Sequence, residues 1–214
     1  MKKLIIYYDN PNKYSDMYLK YLEQDLKNTE IQYTIFTDYE IFLKAIEDYK
    51  NSDAGSTRLG ILPMMPVADD RIIAFLRANP IWDIDNVGGN SIYNDATAVG
   101  IFRHITEELP DRNNAISVIG RGKVGGVLIS LLIDYGYTVY EFNSKSDIDS
   151  MYIICGVHSN AIVGLSSQTV FDQDLSEGLA EIENLMIIDA SNTFTGIHTQ
   201  KCGAWTRKEI LSRI

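Results

Sequence analysis

The stretch VIGRGKVGG, residues 118–126, lies between a short apolar run and a longer run with helical spacing. Its Gly120-x-Gly122-x-x-Gly125 pattern requires a strand that turns sharply into a helix. Gly120 permits the turn, Gly122 leaves the backbone open to close approach, and Gly125 lets the helix pack against the strand. The helical run that follows stops at Gly136, and a second apolar run, YTVYEF, comes next. Strand, glycine turn, helix and strand in that order make a parallel crossover unit.

The same alternation runs through the rest of the chain. LIIYY reads as a buried strand stopped by the turn residues DNPN, and Tyr14, Tyr18, Leu22 and Leu26 mark a helix face over residues 14–28. IQYTIF and RLGILP read as strands, with a helix between them marked by Ile41, Phe42, Ala45, Ile46 and Tyr49. Residues 68–77 and 97–109 read as helices, the second ended by Pro110. Past the glycine turn, MYIICG and LMIIDA read as strands and WTRKEILSRI as a last helix. The expected fold is α/β: an N-terminal α/β unit over residues 1–109, joined by the C-terminal helix 204–214, and a Rossmann-type parallel-sheet unit over 110–203.

Composition narrows the function classes. A formal net charge of −10 argues against a sequence-independent grip on nucleic-acid phosphates. Cys155 and Cys202 lack metal-type spacing, as do His104, His158 and His198, so no metal site is expected. The apolar run of MKKLIIYYDN is cut at Asp9, too short for a secretory core, and no stretch approaches a membrane span. The expectation is a cytoplasmic protein with reduced thiols.

The glycine turn points to a dinucleotide held by Gly120, Arg121, Gly122, Lys123, Val124 and Gly125, with its pyrophosphate at the helix N-terminus. An acid at the end of the following strand would hold the ribose hydroxyls of NAD. Asn143 stands there instead, followed by Ser144 and Lys145, with Glu141 two residues earlier. An amide, a hydroxyl and an ammonium suit a 2′-phosphate better, which favours NADP, with NAD the alternative.

These segments resemble the methylenetetrahydrofolate dehydrogenase/cyclohydrolase family. VIGRGKVGG is similar to its GRSxxVG loop, EFNSKS to CHSKT, and DNPNKYSDMYLKYLEQDLK to DDPASxxYVxxKxKAC. LGILPMMPVADDRIIAFLRANPIWDIDN parallels GILVQLPLP…KDVDG, NDATAVGIFRHI parallels PCTPxGVxxLL, and KCGAWTRKEIL parallels GVGPMTxxxLL. The order matches along nearly the whole chain, without the helix that members usually carry before their first strand. The resemblance implies a folate-binding first domain, an NADP-binding second domain and a homodimer. It also implies oxidation of 5,10-methylenetetrahydrofolate, followed in many members by hydrolysis of the methenyl product.

Carried over by position, the folate-stacking tyrosine falls on Tyr18 and the pterin-binding aspartate on Asp85, while Thr97 and Gly100 match TPxG. A tyrosine on a core-facing stripe and an acid in a turn read equally well as structural residues. The departures are specific. The catalytic lysine, four residues after the tyrosine, becomes Leu22, and its supporting glutamine becomes Met64. Lys20 is two residues from Tyr18 and faces elsewhere on a helix. The PGGVGP loop becomes TQKCGA, and the glycine after the fourth strand of the second domain falls on His158. Three readings follow: an NADP-dependent dehydrogenase without cyclohydrolase activity, a degenerate protein that binds a nucleotide or pterin without turnover, and a shikimate-dehydrogenase-like enzyme.

Overall fold

The computed structural model describes residues 2–51 and 58–214. Along the chain lie β1 (Lys2–Tyr7), α1 (Lys13–Leu26), β2 (Ile31–Phe36), α2 (Tyr39–Asn51), β3 (Arg58–Pro63), α3 (Arg71–Ala78) and α4 (Ala96–Glu108). They are followed by β4 (Ala115–Ile119), α5 (Lys123–Tyr135), β5 (Thr138–Phe142), α6 (Ile148–His158), β6 (Ala161–Gly164), α7 (Gln173–Ala180), β7 (Met186–Asp189) and α8 (Gly203–Ser212). The strands form two all-parallel sheets, so the fold is α/β as the alternation requires.

The chain divides into two compact units, residues 1–96 with 207–214, and residues 97–206. The first holds a sheet ordered β2-β1-β3. Its central strand is buried on both faces, and successive side chains feed opposite cores. Leu4 and Ile6 join Leu22 and Leu26 of α1 and Ile210 of α8 on one side. Ile5 and Tyr7 join Phe42, Ile46, Ile72 and Leu76 on the other. Helix α1 starts cleanly because the Asn12 side chain accepts the N–H groups of Tyr14 and Ser15, while the Ser15 hydroxyl accepts the Asn12 N–H.

The second unit holds a sheet ordered β5-β4-β6-β7. Every residue of β4 is buried. Ile116 and Val118 pack with Leu128 and Leu132 of α5 on one face, and Ile119 packs with Met151, Cys155 and Leu179 on the other. Ala98, Ile101 and Ile105 of α4 belong to the first of these clusters. The unit boundary therefore falls at the first residue of α4, between 96 and 97, rather than at Pro110, because the apolar stripe of α4 packs with the second sheet. The end of α8, from Arg207, belongs to the first unit.

The segment MYIICG, read as a strand from its apolar run, lies within helix α6. Asp147 caps that helix by accepting the Ser150 N–H at 2.9 Å. Met151 and Cys155, four residues apart, are its buried positions, whereas Ile153 is 57 % exposed. Burial pushes the Cys155 thiol up to about 11, as befits a core side chain. The strand of this region is instead β6, which runs beside β4, and α7 follows it.

Helical periodicity here is testable by substitution. Met151→Ala should cost about 2–5 kcal/mol in urea unfolding, as for a core truncation. Ile153→Ala should change stability by less than about 0.5 kcal/mol, as at an exposed site. Equal losses would restore the strand reading, in which residues 151, 153 and 155 share one face.

Candidate functional site

The second unit carries a cleft at the carboxyl ends of its strands, where open α/β sheets bind ligands. Gly120 follows β4 with φ +114°, and its N–H donates to the Phe142 carbonyl at 2.8 Å. A Cβ at Gly125 would lie 1.9 Å from the Gly120 carbonyl oxygen, so only glycine brings α5 this close to the turn. Gly122, the N-cap of α5, has no side-chain cap, and a Cβ there would meet no atom within 4 Å. The start of α5 thus presents backbone N–H groups and the positive end of the helix dipole beside open space.

The cleft measures about 420 Å³. Gly120, Arg121 and Gly122 form one wall, and Asn143 and Ser144, just past β5, form a second. Residues 165–168, past β6, complete it together with Ser191, past β7. The lining offers hydroxyls, amides and one guanidinium, without a carboxylate. Arg121 lies at the mouth, its Nε 3.4 Å from a Glu141 carboxylate oxygen.

Of the residues singled out by sequence, Gly120, Arg121, Gly122, Asn143 and Ser144 line the cleft. Lys123, Val124 and Gly125 form the first turn of α5. Lys145 is exposed beside the cleft in a tight turn, where its N–H donates to the Asn143 Oδ1 at 2.9 Å. Ser166, Ser167 and Gln168 escaped the sequence reading because β6 was not recognised there, and Ser191 was not singled out although its strand was. His158 does not follow a sheet strand: it ends α6, its ring 6.3 Å from that of Tyr140. The loop after β6 is Leu165–Ser166–Ser167–Gln168.

The altered loop at 199–204 is tied into the second unit. Lys201 pairs at 3.5 Å with the buried Asp189, whose carboxylate also accepts the N–H groups of Ser191 and Thr193. Trp205 stacks on His104 with ring centroids 3.8 Å apart. Gly100 has a structural use, because a Cβ there would lie 2.9 Å from the Trp205 backbone. Thr97 accepts a hydrogen bond from the Thr206 hydroxyl at 3.3 Å.

In the first unit, Leu22 is fully buried, and Met64 shares its apolar cluster with Leu4, Ile6 and Tyr8. Tyr18 is half-buried against that cluster. The Arg207 guanidinium lies 5.7 Å from the Tyr18 ring and 5.2 Å from the Tyr21 ring, and pairs with Asp25 at 2.6 Å. Asp85 is half-buried, and its Oδ1 accepts the N–H of Ala96, the first residue of α4, at 3.1 Å. The neighbouring Asp83 is fully buried and closes a turn, accepting the Val87 and Gly88 N–H groups at 2.9 and 2.7 Å. Asn86 has φ 55°, the left-handed conformation that asparagine tolerates better than most residues.

Lys20 is exposed on α1. Asp16, one turn earlier, accepts a hydrogen bond from the Tyr8 hydroxyl, which also bonds the Ser15 hydroxyl at 3.1 Å. Tyr8 immediately follows β1, so this polar group sits at the carboxyl end of the central strand. Among the described residues no group of three His, Cys, Asp or Glu side chains could hold a metal ion, and no helix is long and apolar enough to cross a membrane.

No family model and no curated protein matches the sequence. Solved structures do match in fold. A methylenetetrahydrofolate dehydrogenase from the silkworm Bombyx mori has a TM-score of 0.72 at 18% identity, covering 99% of this chain and 85% of that one. A dehydrogenase-cyclohydrolase from Trypanosoma brucei, solved with NADP and an inhibitor, gives 0.71 at 15% identity, with 99% and 84% covered. The NAD-dependent enzyme from Saccharomyces cerevisiae gives 0.68 at 16% identity, with 99% and 85% covered. Shikimate dehydrogenases match less well, at a TM-score of 0.51 for the enzyme from Thermus thermophilus. The chain therefore has the two-unit fold of these dehydrogenases.

The two glycines of the turn should separate in their effects. Gly125→Ala forces its Cβ into a backbone carbonyl and should cost on the order of 3 kcal/mol. Gly122→Ala enters open space at φ −70° and should leave the melting temperature within about 2 °C of wild type, a change under about 0.5 kcal/mol. Thermal unfolding of both variants measures the difference; a destabilised Gly122→Ala would mean that the cleft wall is closed.

Proposed function

We propose that the protein is a nicotinamide-dependent oxidoreductase that oxidises 5,10-methylenetetrahydrofolate to the 5,10-methenyl form. The observation that carries this is the glycine cradle: an uncapped helix N-terminus beside open space at Gly122, in a cleft whose lining is uncharged except for Arg121. A dinucleotide fits that chemistry, its pyrophosphate against the first turn of α5 and its adenosine ribose toward Asn143 and Ser144. The two-unit fold shared with methylenetetrahydrofolate dehydrogenases supports the choice of folate. The family resemblance adds a homodimer to the proposal, and the two thiols without metal-type spacing add a cytoplasmic location.

When bound, the nicotinamide supplies the hydride acceptor. What the chain must then provide is position, and hydride transfer between two held partners needs no acid or base from the protein. On the first unit, Tyr18 would offer an aromatic face to the folate, and Asp85 a carboxylate to its amino-pyrimidine edge. Ser144, Lys145 and Arg121 favour a 2′-phosphate and hence NADP over NAD. Glu141, paired with Arg121, works against that preference.

Hydrolysis of the methenyl product makes a different demand, because protons must be moved at nitrogen and oxygen. A positioned acid or base contributes about 10²–10⁴-fold to such steps. Leu22 and Met64 lie in an apolar core and move no proton, so we propose that cyclohydrolase activity is lost. One observation favours a second reading. Counted from Pro11 without a gap, the DDPASxxYVxxK pattern places its tyrosine on Asp16 and its lysine on Lys20. Those two residues share one exposed face of α1, next to the carboxyl end of β1.

Calorimetry against NADP, NAD and tetrahydrofolate tests the main proposal. NADP should bind more tightly than NAD, and Lys145→Ala should reduce the NADP advantage. Absence of binding by either cofactor would refute the oxidoreductase reading. In a methenyltetrahydrofolate hydrolysis assay the wild type should match the uncatalysed rate. Turnover abolished by Lys20→Ala would instead establish the reading counted from Pro11. Leu22→Lys is not a restoring substitution, since it places an unpaired ammonium in the core and should unfold the first unit.

A further inference from the structure

Among the polar groups of the first unit, one buried pair has no part in the proposed chemistry. Glu209 and Arg213, one turn apart at the end of α8, have side chains only 7% and 3% exposed. Arg213 Nε donates to Glu209 Oε1 at 3.0 Å, and its Nη1 donates to the Ile84 carbonyl at 2.5 Å. The guanidinium carbon lies 5.1 Å from the Tyr93 ring. The Tyr93 hydroxyl donates to the Arg213 carbonyl at 3.2 Å and accepts from Arg58 Nη2 at 3.0 Å. The Ser91 hydroxyl donates to the Asp83 carbonyl at 2.5 Å.

Ile84 stands between Asp83 and Asp85. Asp83 is fixed by the turn it closes, and Asp85 is fixed on its far side by the Ala96 N–H. Between these two fixed residues lies the peptide that follows Ile84, and Arg213 Nη1 holds its carbonyl. We propose that Arg213 is a positioning residue. Braced by Glu209, it holds the Ile84 carbonyl and so sets the direction in which the Asp85 carboxylate meets the pterin edge of a folate. The inference rests on the role given to Asp85 above and names the group that enforces it.

Stability alone does not explain the pair. Burying two charges carries a large desolvation penalty, and apolar side chains of similar volume usually hold a core as well or better. An arginine fork differs in directing separate N–H groups at a carboxylate and a carbonyl at once, which a lysine point charge does poorly.

The test uses the whole protein and two variants, Glu209→Leu/Arg213→Met and Arg213→Lys. Thermal unfolding, and calorimetry against NADP and tetrahydrofolate, are measured on each. Melting temperature and NADP affinity should stay close to wild type in both. Tetrahydrofolate affinity should fall at least tenfold in the double variant and about fivefold in Arg213→Lys. In turnover assays the loss should appear as a raised KM for the folate with kcat nearly unchanged. If the double variant does not fold, Arg213→Lys, which keeps the charge beside Glu209, decides the matter. A folded variant of either kind that binds tetrahydrofolate like wild type overturns the inference alone. A wild type that does not bind tetrahydrofolate overturns the folate reading and this inference with it.

Discussion

In the second unit α5 starts hard against the end of β4: a Cβ at Gly125 would lie 1.9 Å from the carbonyl oxygen of Gly120. The local architecture follows from it. The contact holds the start of α5 against the end of β4, and this aims the N-terminus of the helix at the carboxyl edge of the sheet. Gly120 adds a backbone conformation, φ +114°, that side-chain-bearing residues rarely adopt. The loops after β5, β6 and β7 then surround the helix end, and a cleft of hydroxyls and amides results. Such a surface suits a polyanion that is recognised by backbone dipoles more than by countercharge.

The first unit is organised differently. Its central strand supplies alternate side chains to two apolar cores, and the polar groups at its carboxyl end are largely engaged with backbone. Asp9 accepts the N–H groups of Ala68 and Asp69 at 2.9 and 2.8 Å, Asp83 closes its own turn, and Asp85 holds the start of α4. Carboxylates fixed in this way are rigid acceptors, better suited to orienting a ligand than to shuttling protons. The apolar pairing of Leu22 with Met64 in one core fits the same picture.

Much of the fold was legible because its signals are local. The glycine turn, the stop at Gly136, the DNPN turn and the buried runs of β1 and β4 each depend on a few consecutive residues. The segment around residue 151 was not legible, because six consecutive apolar residues satisfy a buried strand and a buried helix alike. The Asp147 cap was the local clue to the helix. Missing β6 also hid one wall of the cleft, since residues 165–168 acquire meaning only once a strand is known to end at Gly164. The role of Tyr18 is a related case: sequence offers a tyrosine on a helix stripe, and Arg207, distant in the chain, turns out to lie over its ring.

By itself, then, the sequence determined the α/β class, the glycine turn with its dinucleotide-type geometry, the neutral residues after β5 and the apolar character of Leu22 and Met64. Each of these is written in spacing, turn chemistry or side-chain type. Tertiary structure decided which sheet α4 joins, that α6 is a helix, and that Lys20 rather than Leu22 faces solvent. It also brought Arg213 to the carbonyl of Ile84, across more than a hundred residues of chain. The physical reason is the same throughout: amphipathic elements choose their partners by the surface left to cover, and that surface exists only after the sheets have formed.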